Sequence, residues 1–199
     1  MTPLERINSL KENEKKMNDC LLLIDLQNDY FHGGNMELVE MEKAAANARL
    51  LLDEYRKGNS PIIHVQHIST RPDATFFLPG TDGAAINEMV APHKGEMVVI
   101  KNYPNSFRDT ELLENLKKTK FNNLIICGAM SHMCIDATTR AAFDFGFNCV
   151  VAEDACATRD LNYKGNMIKA SEVHACFMAA LSVPYAKVLT TKELISNMV

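Results

Sequence analysis

Long apolar runs are missing from this sequence. None approaches the ~20 residues that a membrane span requires, and the polar start MTPLERINSLKENEKKMND has no apolar stretch of the kind a secretory leader carries. A basic excess is missing too. The net charge of -4 leaves no electrostatic footprint for nucleic acid, so neither a nucleic acid nor a membrane is expected as partner. There is no CxxC pair, internal repeat, low-complexity tract or linker. Six cysteines scattered through a chain of this size do not form a disulfide framework, so reduced thiols and a cytoplasmic location are expected.

What is present is an ordinary globular balance, 47% apolar and 23% charged residues, over 199 positions. That is enough chain for one domain with a sizeable core, with residues 1–18 as a polar helical extension. Short apolar runs recur: CLLLIDL (20–26), PIIHVQH (61–67), MVVIK (97–101), NLIICG (123–128), FNCVVAE (147–153) and YAKVLT (185–190). Continuous runs of this kind suit strands covered on both faces.

Helical patterns lie between them. Residues 36–57 end at Gly58, a glycine stop, and 109–119 open on Asp109 as a cap and close on lysines. Residues 131–145 set Ile135, Thr138, Ala142 and Phe145 on one face and Asp136, Arg140 and Asp144 on another. Residues 166–181 and 191–197 give two more helices. Strands separated by helices predict parallel pairing and a three-layer α/β fold. The segment 68–83, rich in Pro, Gly and Thr, is the one long irregular region and so a candidate functional loop.

In open parallel sheets, ligands bind beyond the carboxyl ends of the strands. Three chemistry-bearing residues fall there: Asp25, Lys101 and Cys134, the last one turn beyond LIICG. A helix N-terminus and a nearby lysine both favour a thiolate, and an aspartate within reach can shuttle its proton. Taken singly, Asp25 reads equally as a loop cap, Lys101 as a solvated strand end and Cys134 as core.

LLLIDLQNDYFHGG, VVIKNYPNSF and IICGAMSHMCIDATTRAAFDFGF followed by VVAEDACATRD resemble the isochorismatase-like cysteine hydrolases, in order from about 20 to 194. The resemblance implies a Rossmann-like six-stranded parallel sheet with helices on both faces, usually in an oligomer. It also implies an Asp-Lys-Cys triad on Asp25, Lys101 and Cys134. A non-proline cis peptide is implied between Ala129 and Met130, with the N–H groups of Met130 and Cys134 as an oxyanion hole.

Nicotinamidase-like relatives hold a metal. Here His64 and His67, three apart on a strand, point to opposite faces, so neither metal nor cofactor is expected. His67 with Asp73 and His93 is the remaining conceivable ligand set. A cysteine at the nucleophile position points to hydrolysis of a small amide, ureido or carbamoyl compound through a thioester. A nicotinamidase-like metal-assisted amidase and a catalytically idle or redox-sensing protein are the alternatives. Pocket candidates are Gln27, Phe31, His67, Phe77 and His132. His174 and the cysteines Cys127, Cys149, Cys156 and Cys176 read as packing.

Overall fold

The computed structural model describes residues 19–119 and 121–197, so the expected N-terminal extension lies outside the described residues. Strands β1 (Asp19–Ile24), β2 (Ile62–His67), β3 (Met97–Lys101), β4 (Asn123–Ala129) and β5 (Asn148–Ala157) join with β8 (Ala186–Leu189) in one sheet, ordered β3-β2-β1-β4-β5-β8. Every pairing in it is parallel. The helices are α1 (Met41–Lys57), α2 (Leu112–Thr119), α3 (Asp136–Asp144), α4 (Ala170–Leu181) and α5 (Thr191–Ser196).

Alternation along β1 sorts the core into two layers, although the run itself is uniformly apolar. Leu21 and Leu23 face α1, packing with Ala45, Ala48 and Leu52, while Cys20, Leu22 and Ile24 face Leu112 and Leu116 of α2, Ala142 of α3 and Leu181 of α4. A sheet covered on both sides by helices is the three-layer α/β fold expected.

Several local readings give way to tertiary context. The helix expected from residue 36 starts at Met41, because Val39 bridges to Thr158 and Glu40 turns left-handed. Asp109 does not cap α2. It takes φ 55°, and Thr110 Oγ1 instead accepts from Leu112 N–H at 3.3 Å. The helix expected over 131–145 opens with a π-turn, Ser131–Ile135. The first residues of the expected 166–181 helix are a strand: β6 (Leu161–Tyr163) and β7 (Asn166–Ile168) make an antiparallel hairpin around Gly165, and α4 begins only at Ala170. Cys176, read as packing, is exposed, since α4 carries apolar residues beyond its buried stripe of Ala170, Val173 and Leu181.

Gly128 is structurally required. It has φ +124°, and a Cβ there would collide with the carbonyl of Ile24 on β1. β4 therefore approaches β1 more closely at its carboxyl end than any side chain allows. No helix among the described residues is long and apolar enough to cross a membrane.

Candidate active site

The strand order reverses between β1 and β4, and the carboxyl ends of both converge there. Asp25 follows β1 directly, with φ 54° and its N–H bonded to Val65 O at 3.0 Å, so the carboxylate leaves the strand direction at the crevice. Lys101 is the last residue of β3, and His67 the last of β2. Cys134 sits in the π-turn after β4, where Met130 O accepts from Met133 N–H at 2.9 Å and Ile135 N–H at 3.3 Å. The Ala129–Met130 peptide immediately before is cis.

The structure brings these side chains together. Ligating atoms of Asp25, His67 and Cys134 lie within 4.8 Å of one another. Lys101 Nζ donates to Asp25 Oδ2 at 2.7 Å and to Tyr103 O at 3.2 Å. It also lies 3.2 Å from His67 Nδ1. An ammonium only donates, so His67 Nδ1 is the acceptor and the ring proton sits on Nε2. Asp25 and Lys101 side chains are fully buried, and Cys134 is 3% exposed. The segment after Lys101 is bolted to α3, with Ser106 N–H donating to Thr138 Oγ1 at 3.1 Å.

The electrostatics differ from the sequence expectation at one point. Burial, then the Asp25 carboxylate, push the Cys134 thiol well up, and the charge of Lys101 only partly opposes this. The resting group is therefore a thiol, not a thiolate, because desolvation outweighs the helix end and the lysine. Burial works against the Lys101 charge, but the Asp25 carboxylate beside it counters this, and its pKa is raised. Burial and the lysine keep His67 neutral against the pull of Asp25. The group thus holds one carboxylate–ammonium pair with a protonated thiol beside it.

The remaining candidates separate. His64 does not join the cluster: it bonds Glu96 at 2.9 Å on the other side of its strand, as the spacing requires. Asp73 pairs with Arg71, and among the described residues His67 is grouped with Asp25 and Cys134 rather than with Asp73 and His93. Gln27 Nε2 donates to His67 O at 2.8 Å and Ala84 O at 2.7 Å, and its Oε1 accepts from His67 N–H at 2.7 Å. Both amide protons are thus engaged by main chain, which makes Gln27 a clamp on β2 and the 68–83 loop rather than a free pocket donor. Phe31 is buried in the core with Leu38 and Met41. Phe77 reaches the site: its ring centroid lies 5.8 Å from that of His67 and 4.6 Å from Tyr30, and its N–H donates to Asp29 Oδ2 at 2.6 Å. His132, half-buried, has Nδ1 at 2.6 Å from Thr158 Oγ1.

Tyr30 was not singled out in the sequence. Burial, then Asp25 and Cys134, push its hydroxyl well above the usual phenol range, so it stands beside the cluster as a neutral donor. Its place five residues after Asp25 was the available signal. Ser131 was missed as well, although it is fully buried with Oγ 2.9 Å from His174 Nδ1. Only the tertiary contact with α4 marks it.

Fold and site together define a three-layer α/β protein with thiol, carboxylate and ammonium gathered at the switch point of its sheet. An isochorismatase domain model matches residues 19–192. An uncharacterized isochorismatase family protein of Bacillus subtilis is 48% identical over 88% of this chain and 98% of its own. A streptothricin hydrolase of Streptomyces noursei is 32% identical over 71% of this chain and 50% of its own. The crystal structure of an isochorismatase from Pseudomonas putida superposes with a TM-score of 0.82 at 38% identity, covering 89% of this chain and 90% of that one. The chain belongs to the isochorismatase family.

Proposed function

We propose that the protein is a cysteine-dependent hydrolase that cleaves the C–N bond of a small amide, ureido or carbamoyl compound through a thioester on Cys134. The observation that carries this reading is the buried contact of Asp25 with Lys101, beside the Cys134 thiol. The streptothricin hydrolase among its relatives supports a hydrolytic reaction.

In the proposed cycle the Cys134 sulfur attacks the substrate carbonyl carbon while Asp25 takes the thiol proton. This suits a thiol whose pKa burial has raised, since the proton moves only as the carbon–sulfur bond forms. The oxyanion is received by the N–H groups of Met130 and Cys134, donors of a kind typically worth ~3–4 kcal/mol each. Collapse breaks the C–N bond, and protonated Asp25 gives its proton to the departing ammonia or amine. Water then adds to the thioester, with Asp25 taking its proton. The acid leaves and the thiol regains that proton. Lys101 stays charged throughout and holds Asp25 in place.

A redox-sensing role is disfavoured. A sensor thiol is exposed and of low pKa, whereas Cys134 is 3% exposed and its pKa is raised. The reading is tested by incubating the protein with a panel of small amides and following ammonia release and intact mass. An acyl adduct on the wild type, absent in Cys134→Ala, is expected. No release from any amide, together with ready reversible oxidation of Cys134, would sink the hydrolase reading.

A further inference from the structure

A cleft of about 240 Å³ runs between the start of α1, the end of β5 and the start of α4, and neither Asp25 nor Lys101 lines it. His174 and Thr158 line it. Each of these residues sends a hydrogen bond into the turn that carries Cys134. Thr158 Oγ1 meets His132 Nδ1 at 2.6 Å, and His174 Nδ1 meets Ser131 Oγ at 2.9 Å. We infer that His174 is a positioning residue, which through Ser131 holds the Cys134 turn in register with Asp25 and Lys101. The inference rests on reading Cys134 as the nucleophile.

Ser131 is the hinge of this arrangement. It lies between Met130, whose carbonyl closes the turn, and Cys134, and it is fully buried. Its hydroxyl has one proton and donates it to Ala157 O at 3.3 Å, which leaves the oxygen to accept from His174 Nδ1–H. A directed chain results: imidazole to hydroxyl to carbonyl, from α4 to the turn to β5. Burial keeps His174 neutral, against the pull of Glu153, so it presents one ring proton in a fixed place. This chain adds to β4, to the burial of Cys134 and Ile135 and to the Thr158–His132 contact in setting where the turn stands. A displacement of about 1 Å in such a site can cost on the order of 100-fold in rate.

The test is alkylation of the full chain by iodoacetamide near neutral pH, with peptide mapping to read Cys134 and Cys176 separately. Cys176 is exposed on α4 two residues beyond His174, so its labelling reports on the integrity of that helix. His174→Ala and Ser131→Ala should each speed labelling of Cys134 about tenfold, since a loosened turn exposes a thiol that burial otherwise shields, and leave Cys176 unchanged. The double variant should be no faster than either single, since both break one chain. His174→Asn, which keeps a donor close to the Nδ1 position, should return to within about twofold of wild type. Unchanged Cys134 labelling in His174→Ala, multiplying effects in the double variant, a parallel change at Cys176, or an Asn variant no better than Ala would overturn the inference. Should His174→Ala not fold, Ser131→Ala and His174→Asn carry the same comparison. Alkylation needs no turnover, so failure of every amide substrate would remove the hydrolase reading and leave this result legible.

Discussion

Lys101 Nζ meets Asp25 Oδ2 at 2.7 Å, 76 residues away along the chain, with neither side chain reached by solvent. A buried pair of this kind is costly to break, because removing one partner strands the other charge. Lys101→Met should therefore lower unfolding free energy by about 3–5 kcal/mol. Urea denaturation checks this. The double variant Asp25→Asn with Lys101→Met should recover much of the loss, since no buried charge remains. Additive losses would show the pair to be uncoupled.

A second ionic group sits at the opposite end of β3. Glu96 accepts from Arg56 Nε at 2.7 Å and Nη2 at 2.8 Å, and from the His93 N–H at 2.8 Å. Burial opposes its charge, yet Arg56, the His93 N–H and His64 outweigh it and lower its pKa from 4.5 to about 2. A depressed carboxylate contributes stability above its unfolded pKa and loses it as pH falls through the folded one. That contribution, about 3 kcal/mol at 1.36 kcal/mol per unit, should be present above pH 4.5 and gone near pH 2. Burial also lowers the His64 pKa against the pull of Glu96, so stability starts to decline below 6.5, the ordinary histidine value. Glu96→Gln should flatten the lower part of this profile. An unchanged acid midpoint in that variant would contradict the assignment.

Gln27→Ala should act on the 68–83 loop. It removes bonds to His67 N–H, His67 O and Ala84 O; Ala84 O keeps Gln66 Nε2, but the part-buried main-chain groups of His67 lose these partners. At ~1–3 kcal/mol for each stranded group, a destabilisation of about 2–4 kcal/mol is expected. Limited proteolysis should find the first new cut within 68–83, and wild-type resistance there would refute the clamp.

Gly128→Ala should be among the most damaging single changes. The φ of +124° and the collision with Ile24 O combine strain with overpacking at the junction of β1 and β4. A loss on the order of 3 kcal/mol or more follows. Thermal unfolding checks it, and a midpoint within a degree or two of wild type would mean the strands can part there without cost.

Much of the fold was legible because its signals are local. Runs such as LLLI and LIIC are too apolar for a one-sided sheet, and the helical patterns between them leave a parallel arrangement as the natural packing. Where local pattern failed, a distant partner had intervened. Val39 is taken by Thr158, and Lys169 and Ala170 are drawn to Asp160, which turns the start of an expected helix into a hairpin and its cap. Strand ends could be read as places for chemistry because a polar residue closing an apolar run stands out. The sequence could not show that Gln27 faces main chain, that Ser131 is tied to His174, or that Cys176 is exposed.

By itself, then, the sequence determined the α/β layering and the placing of Asp25, Lys101 and Cys134 at strand ends, since both follow from residue type and period along a single stretch. Tertiary structure alone decided the state of those groups. Desolvation and charge depend on neighbours brought from β1, β2 and β3, and they turned an expected thiolate into a buried thiol beside an ion pair.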